Sequence, residues 1–154
     1  MHQTRRSFIR AGGAAALLAA FGAALLKPGR ALAAWNKGAF EAKSAIDAMK
    51  ALGVANAEDS KAIEIRAPDI AENGAVVPID ITSNIPGTTA IAVFIEKNPF
   101  PYTGSFDFSQ GAVPYVHLRV KIGESSPVRV VASAGGKHYT AVKEVKVTIG
   151  GCGG

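Results

Sequence analysis

Two segments of the chain differ in the period of their hydrophobic positions. The first is NKGAFEAKSAIDAMKALG, with lysines and acids between its large apolar residues. These apolar residues recur at roughly helical spacing: Phe40, Ile46, Met49 and Leu52. This spacing places apolar side chains on one face of an α-helix. The pattern predicts an amphipathic helix that begins near Asn36 and is stopped by Gly53, in an N-terminal helical segment over residues 34–60. We expect it to cover a sheet edge or the end of a barrel.

Beyond Lys61 the period of the apolar positions changes to two. Alternating apolar and polar residues are typical of strands with one buried face. The segments that show this pattern are 62–68, 75–84, 87–98, 105–109, 115–123, 127–134 and 138–149. Turn-forming Gly, Pro, Asn and Ser residues separate them. About seven short strands without interleaved helices predict a mainly β fold, an immunoglobulin-like antiparallel β-sandwich over residues 61–149.

The last two predicted strands flank Gly135-Gly136. Two glycines between alternating segments predict a tight hairpin, because both residues of the favoured two-residue turn require positive φ. The final strand, which ends in KVTI, is therefore expected to be anchored in the sheet.

The N-terminal residues have the order of a secretory signal peptide. Arg5 and Arg6 precede a weakly apolar run over residues 11–26, and the small-residue site Ala31-Leu32-Ala33 follows. The twin arginines predict export by the Tat route, with cleavage after Ala33 and a signal peptide over residues 1–33. The alternative is an uncleaved anchor, but the run is short for a membrane span of about twenty residues. We therefore expect a periplasmic protein with no membrane anchor after cleavage.

Removal of the signal peptide changes the charge balance. Five of the seventeen basic residues lie before position 34, while all twelve acidic residues lie after it. The mature chain thus carries twelve basic and twelve acidic residues and has a net charge near zero. No basic cluster remains that would favour binding to nucleic acid.

The mature sequence offers little catalytic or metal-binding potential. Its two histidines, His117 and His138, each lie inside a predicted strand, and one cysteine with two histidines does not form a metal site by spacing. A nucleophilic pair would need a base held within hydrogen-bond reach of the thiol, whereas Cys152 lies on a glycine-rich tail. We predict no catalytic residues and no metal ligands.

The chain ends in TIGGCGG, and its only cysteine, Cys152, lies between Gly150-Gly151 and Gly153-Gly154. Glycine lacks Cβ and tolerates nearly all backbone angles, so this composition predicts a thin, flexible arm over residues 150–154. At about 3.3–3.6 Å per extended residue, five residues carry the sulfur on the order of 15 Å beyond the sheet. Such an arm fits a narrow active-site channel on another protein.

The tail contains no cation or helix N-terminus that would activate the thiol. The cysteine is therefore better suited to be acted on by other enzymes than to catalyse. Two alternatives remain: a frayed terminus with an incidental cysteine, and a structural sandwich that dimerises through Cys152. Prenylation is excluded, since Gly-Gly follows the cysteine in place of an aliphatic pair.

The residues that form the arm, together with FIEKNPFP at 94–101, the twin-arginine leader and the strand-rich middle, resemble the SoxY family. The resemblance covers nearly the whole chain, and the terminal GGCGG is its most specific part. It implies an immunoglobulin-like sandwich that carries sulfur in periplasmic thiosulfate oxidation and is not itself an enzyme.

By this resemblance, Cys152 holds covalent sulfur intermediates, and Gly150, Gly151, Gly153 and Gly154 supply flexibility and access. No cofactor is implied beyond the S-thiosulfonate and its derivatives on Cys152. The implied partners are SoxZ, as a heterodimer, and transiently SoxAX, SoxB and SoxCD. The open edges and apolar faces of a sandwich likewise suggest a protein partner that covers one sheet.

A second kind of sulfur carrier is an alternative. Ubiquitin-like carriers end in Gly-Gly and hold sulfur as a C-terminal thiocarboxylate, which in this chain would be on Gly154. Their activation needs ATP, which the periplasm lacks, and their tails need no cysteine.

Overall fold

The structure is a computed structural model that describes residues 36–109 and 111–148. The predicted signal peptide over residues 1–33 and the predicted arm over residues 150–154 lie outside the described residues. What is described is the body of the fold, up to the strand that precedes the arm.

Two helices, not one, form the described N-terminal segment: α1 (Lys37–Glu41) and α2 (Ala45–Ala51). The prediction of one continuous helix is wrong because the backbone turns extended at Ala42, with ψ 138°. Ser44 then starts a new helix by accepting a hydrogen bond from Asp47 N and donating one to the Asp47 carboxylate. Among the described residues, no helix is long and apolar enough to cross a membrane.

The helices cover one face of the larger sheet. Ala39, Ala48 and Met49 are buried against Phe94 and Tyr102 of that sheet. An amphipathic helical segment is therefore present, but it packs on a face of the sheet and not at the predicted sheet edge or barrel end. Ile46, predicted to lie on the apolar face, is instead half exposed, because the break after α1 changes the rotation of α2.

Nine strands follow in the described part of the chain: β1 (Glu58–Asp59), β2 (Ile63–Arg66), β3 (Ile70–Ala71), β4 (Val77–Ser83), β5 (Thr88–Ile95), β6 (Tyr102–Asp107), β7 (Tyr115–Val120), β8 (Ser126–Ala134) and β9 (Lys137–Val147). The seven predicted strands are all present. The two others, β1 and β3, have only two residues each, which is too short for an alternating pattern to be recognised in the sequence.

The strands form two sheets. The larger has the order β1-β9-β8-β5-β6, with β3 also on β9, and the smaller has the order β2-β4-β7. All pairs of long strands are antiparallel, but β1 and β3 run parallel to β9. The predicted sandwich architecture is therefore confirmed, with two short parallel additions to one edge.

Two apolar cores hold the layers together. The main core lies between the sheets. On β4 it contains Val77, Ile79 and Ile81, which alternate with exposed or half-buried residues. The second lies between the larger sheet and the helices. The central strand β5 contributes to both cores, so Ile91–Ile95 are buried without alternation.

The predicted hairpin between β8 and β9 is confirmed. Ala134 is paired with Lys137, and the two residues between them, Gly135 and Gly136, have φ of 57° and 76°. Both glycines are needed, because side chains disfavour positive φ. The hairpin directs β9 back along the full length of β8, so that β9 ends at the opposite end of the sandwich.

Candidate functional site: the root of the C-terminal arm

Cys152 and its flanking glycines, Gly150, Gly151, Gly153 and Gly154, lie outside the described residues. The structure therefore shows the site from its base, where β9 ends at Val147 and Thr148 follows. We call this region, with the residues that hold it, the arm root. Its geometry shows how the end of β9 is held in the body.

The outer side of the arm root is held by β3 and the residue before it. Ile70 and Ala71 are in register with Lys146 and Val147. The N–H of Lys146 donates to the carbonyl oxygen of Asp69 at 3.0 Å, and that of Thr148 donates to Ala71 at 3.2 Å. The backbone is therefore paired on this side as far as the last described residue.

The inner side of the arm root is held by a serine. The ladder between β8 and β9 ends where Ser126 pairs with Val145. One step further, the hydroxyl of Ser125 replaces a strand partner and accepts a hydrogen bond from Val147 N at 2.9 Å. The end of β9 is thus held on both sides although β8 no longer accompanies it: Val147 bonds Ser125, and its neighbours Lys146 and Thr148 bond the β3 side.

A buried glycine lets the neighbouring loops approach the arm root. The carbonyl oxygen of Gly74 accepts a hydrogen bond from Ile122 N at 2.7 Å. A Cβ on Gly74 would overlap the carbonyl oxygen of Ile122 and lie 2.8 Å from Cγ1 of Val147. Only glycine allows the loop after β3, the loop after β7 and the end of β9 to pack this closely.

Asn98, in the loop after β5, holds the loop after β7 at the same end of the sandwich. Its Nδ2 donates to the carbonyl oxygen of Lys121 at 2.7 Å, and its Oδ1 accepts from Gly123 N at 3.1 Å. The stretch FIEKNPFP therefore has a structural role: it carries the asparagine that fixes the loop preceding Ser125.

An ion pair adds to the outer side of the arm root. Lys143 Nζ lies 2.6 Å from Asp69 Oδ1. The hydrogen bond from Lys143, and then its charge, hold the pKa of Asp69 below its ordinary value of 3.8. The carboxylate is largely exposed, so the pair orients the residue before β3 and contributes only weakly to global stability.

Sequence reasoning missed these anchors. Ser125, Gly74 and Asn98 were recognisable only as members of turn-forming pairs, and Asp69 as a solvent-facing charge. The single available signal was their position next to strand ends, which does not reveal which strand they contact.

The two histidines lie on strands, as predicted: His117 on β7 of the smaller sheet and His138 on β9 of the larger one. His117 Nδ1 lies 2.8 Å from Asp80 Oδ1 on the outer face of the smaller sheet, and the Tyr115 hydroxyl donates to the same oxygen. These bonds, that of Tyr115 foremost, lower the pKa of Asp80, and the carboxylate raises the pKa of Tyr115. The side chain of His138 contacts Ser133 on the neighbouring strand at 2.9 Å.

Among the described residues, no group of three or more His, Cys, Asp or Glu side chains is placed to hold a metal ion.

Comparisons with known proteins agree on one family. The profile of the family described as "Sulfur oxidation protein SoxY" matches residues 48–152. No curated protein sequence matches the chain. Among solved structures, the sulfur carrier protein SoxY from Chlorobium limicola f thiosulfatophilum is 43% identical, with a TM-score of 0.61, over 68% of this chain and 96% of that one.

A more distant similarity concerns the fold alone. A superoxide reductase (neelaredoxin) from Ignicoccus hospitalis aligns with a TM-score of 0.50 and 20% identity, over 56% of this chain and 80% of that one. A substituted form of the same reductase aligns with a TM-score of 0.50 and 18% identity, over 60% of this chain and 83% of that one.

This chain belongs to the SoxY family, because the family profile covers most of its length. Family membership and the 43% identical structure support a carrier role in sulfur oxidation.

Proposed function

We propose that this member of the SoxY family is the covalent sulfur carrier of periplasmic thiosulfate oxidation, and that Cys152 is the attachment point. The observation that carries the proposal is the extent of the family match, which runs through the sandwich and reaches residue 152. The arm root supports it, since a carrier thiol needs a fixed base from which its tether extends.

The proposed cycle begins when the Cys152 thiol and thiosulfate are joined oxidatively by SoxAX. The S–H bond is lost, a sulfur–sulfur bond forms, and a proton and two electrons leave, the electrons to SoxAX as the oxidant. The product is cysteine S-thiosulfonate. Hydrolysis by SoxB then cleaves the sulfur–sulfonate bond, releases sulfate and leaves a persulfide on Cys152.

The remaining steps return the carrier to its thiol form. Where SoxCD is present, it removes six electrons from the outer sulfur while water supplies three oxygen atoms, which gives cysteine S-sulfonate. A second hydrolysis releases sulfate and restores the thiol. The chain itself supplies attachment and presentation, and its partners supply the redox and hydrolytic chemistry.

The glycines act through shape. From Thr148, four extended residues carry Cys152 about 14 Å beyond the arm root. Gly150, Gly151, Gly153 and Gly154 keep this tether thin enough to enter a buried active site. Transient contacts with SoxAX, SoxB and SoxCD then require no large interface with each enzyme.

Two further parts of the proposal concern assembly and location. The chain pairs with SoxZ as a heterodimer, and residues 1–33 direct export by the Tat route to the periplasm. Both rest on the resemblance and on the twin-arginine leader.

Intact-mass spectrometry tests the attachment site. After incubation with thiosulfate and SoxAX, we expect a sulfur-bearing adduct on Cys152, and we expect Cys152→Ser to abolish thiosulfate-dependent turnover while the fold is kept. An adduct on the Gly154 carboxyl would instead indicate a thiocarboxylate carrier. A reducible dimer without adduct would indicate a structural thiol.

A relocated thiol is the matched control. Cys152→Ser combined with Thr148→Cys places an accessible thiol at the arm root without the tether. It should react with a small alkylating reagent and yet fail to support turnover. Full turnover by this variant would contradict the role assigned to the arm.

A further inference from the structure

The loop between β3 and β4 contains the dipeptide Asn73-Gly74, next to the arm root. Asn73 is exposed to solvent, whereas Gly74 is buried. In a dipeptide of this kind the backbone nitrogen of the glycine attacks the side-chain amide carbon of the asparagine and closes a five-membered succinimide ring. Glycine hinders the attack least, because it has no Cβ. The loop therefore contains both reacting groups as neighbours in the chain.

The electrophile, the side-chain amide of Asn73, is held by one hydrogen bond. Ala75 N donates to Asn73 Oδ1 at 2.9 Å. Attack at the amide carbon places negative charge on this oxygen. A backbone N–H that is already directed at the oxygen stabilises the charge, as the donors of an oxyanion hole do in acyl transfer. The folded loop thus orients and polarises the amide that is attacked.

The nucleophile is the backbone nitrogen of Gly74. The carbonyl oxygen of Gly74 accepts a hydrogen bond from Ile122 N at 2.7 Å, but its N–H has no acceptor among residues 36–109 and 111–148. An N–H that donated to a carbonyl oxygen would have to give up that bond before it lost its proton. Attack by Gly74 therefore sacrifices no hydrogen bond of the described chain.

We propose that Asn73 is a site of spontaneous deamidation, and that the modification loosens the arm root. The Gly74 nitrogen forms a bond to Cγ of Asn73, and the side-chain nitrogen leaves as ammonia with the proton that the Gly74 nitrogen gives up. Water then cleaves one of the two bonds that join the ring nitrogen to a carbonyl carbon. Cleavage at Cγ gives aspartate, and cleavage at the main-chain carbonyl gives isoaspartate.

The two products differ in their effect on the arm root. Aspartate keeps the length of the main chain and an oxygen that accepts from Ala75 N. Isoaspartate inserts one methylene into the main chain directly before Gly74, where the packing leaves no space. A Cβ on Gly74 would overlap the carbonyl oxygen of Ile122 and lie 2.8 Å from Cγ1 of Val147. Since a close-packed site absorbs an added methylene only by displacement, isoaspartate moves Gly74 away from these neighbours.

The displacement also reaches the strand that holds the outer side of β9. Ala71, the last residue of β3, lies two residues before Asn73 and accepts a hydrogen bond from Thr148 N at 3.2 Å. A lengthened chain at Asn73 therefore loosens two contacts of the arm root. The inference does not rest on the proposed carrier role, because it concerns main-chain geometry alone.

Peptide mapping by mass spectrometry of the full chain carrying Cys152→Ser tests the site. After incubation at mildly alkaline pH we expect the mass gain of deamidation at Asn73, with both products present. Asn56 and Asn84, which are exposed and precede Ala and Ile, are internal controls and should react at least about tenfold more slowly. Asn73→Gln should show no gain at this position, because its longer side chain does not close a five-membered ring.

A comparison of the folded chain with the urea-unfolded chain separates the effect of the fold from that of the sequence. The hydrogen bond from Ala75 to Asn73 is a property of the folded loop. We therefore expect Asn73 to react in the folded chain no more slowly than in the unfolded chain. Marked protection of Asn73 by folding overturns the proposed site.

Amide hydrogen exchange tests the consequence for the arm root. In the separated isoaspartyl form, the Val147 and Ile122 amides should exchange about tenfold faster than in the unmodified chain. Asn73→Asp is the matched control, since it adds the same charge without the extra methylene, and it should exchange like the unmodified chain. Equal exchange in the isoaspartyl form and in Asn73→Asp overturns the effect assigned to the lengthened main chain.

Discussion

Strands β9 and β6 lie toward opposite edges of the larger sheet, and within the described residues only β9 has further strands beyond it. β9 has eleven residues and is accompanied by β1 near its start and by β3 at its end, with Lys143 paired to Asp69 between them. β6 has six residues and, within the described chain, no strand beyond it. Of these two edges, the described residues cover the one that leads to Cys152.

This contrast bears on the proposed carrier role. If Cys152 holds the cargo, the strand before it must stay in the sheet, because fraying of β9 would shift the point from which the cysteine extends. Coverage by β3, Ser125 and the Gly74 contact meets that need. The opposite edge, at β6, has no strand beyond it among the described residues.

The largest expected difference between the two edges concerns their glycines. Gly74→Ala places a Cβ against the Ile122 carbonyl and Val147, and should lower the free energy of unfolding by about 3 kcal/mol. Gly104→Ala in β6 meets no atom within 4 Å and should be neutral or stabilising by about 0.4–1 kcal/mol. Urea unfolding measures both. Equal effects would contradict the contrast.

A smaller effect is expected from the serine of the arm root. Ser125→Ala removes the acceptor for Val147 N and should cost about 1 kcal/mol, with faster hydrogen exchange confined to the last residues of β9. Ser133→Ala is the matched control, since Ser133 bonds His138 at the other end of the same hairpin. If the control accelerates exchange at Val147 equally, Ser125 does not fix the arm root.

The smallest expected effect is pH-dependent. Lys143 lowers the folded-state pKa of Asp69, so the ion pair stabilises the chain above the unfolded-state pKa of about 3.9 and is lost as the pH falls through the lowered folded value. In an NMR titration, Lys143→Gln should return the Asp69 pKa toward 3.8, whereas Lys146→Gln should not. A depressed Asp69 pKa that persists in Lys143→Gln would show that Lys143 is not its cause.

Most of the architecture was accessible from periodicity. Alternation located the seven long strands, and the Gly135-Gly136 pair located the hairpin that returns β9 along β8. The break between α1 and α2 was missed although Ser44 and Asp47 form a recognisable capping pair, because the apolar spacing suggested one continuous helix.

The arm root was not predictable in the same way. β1 and β3 pair over two residues each, which leaves no periodic signal, and Ser125 and Gly74 act on Val147 across long sequence separations. Their residue types identify them as turn formers and give no information about the strand beside them.

The amino-acid pattern alone was sufficient to predict the kind of fold, because the alternation of apolar and polar residues shows which strand faces are buried. It also showed a cysteine between glycines. The order of strands in the sheet, and therefore which edge is covered and which is left open, depends on contacts between distant segments. Only in the folded chain do Ser125, Gly74 and β3 meet at the end of β9, while β6 has no strand beyond it among the described residues.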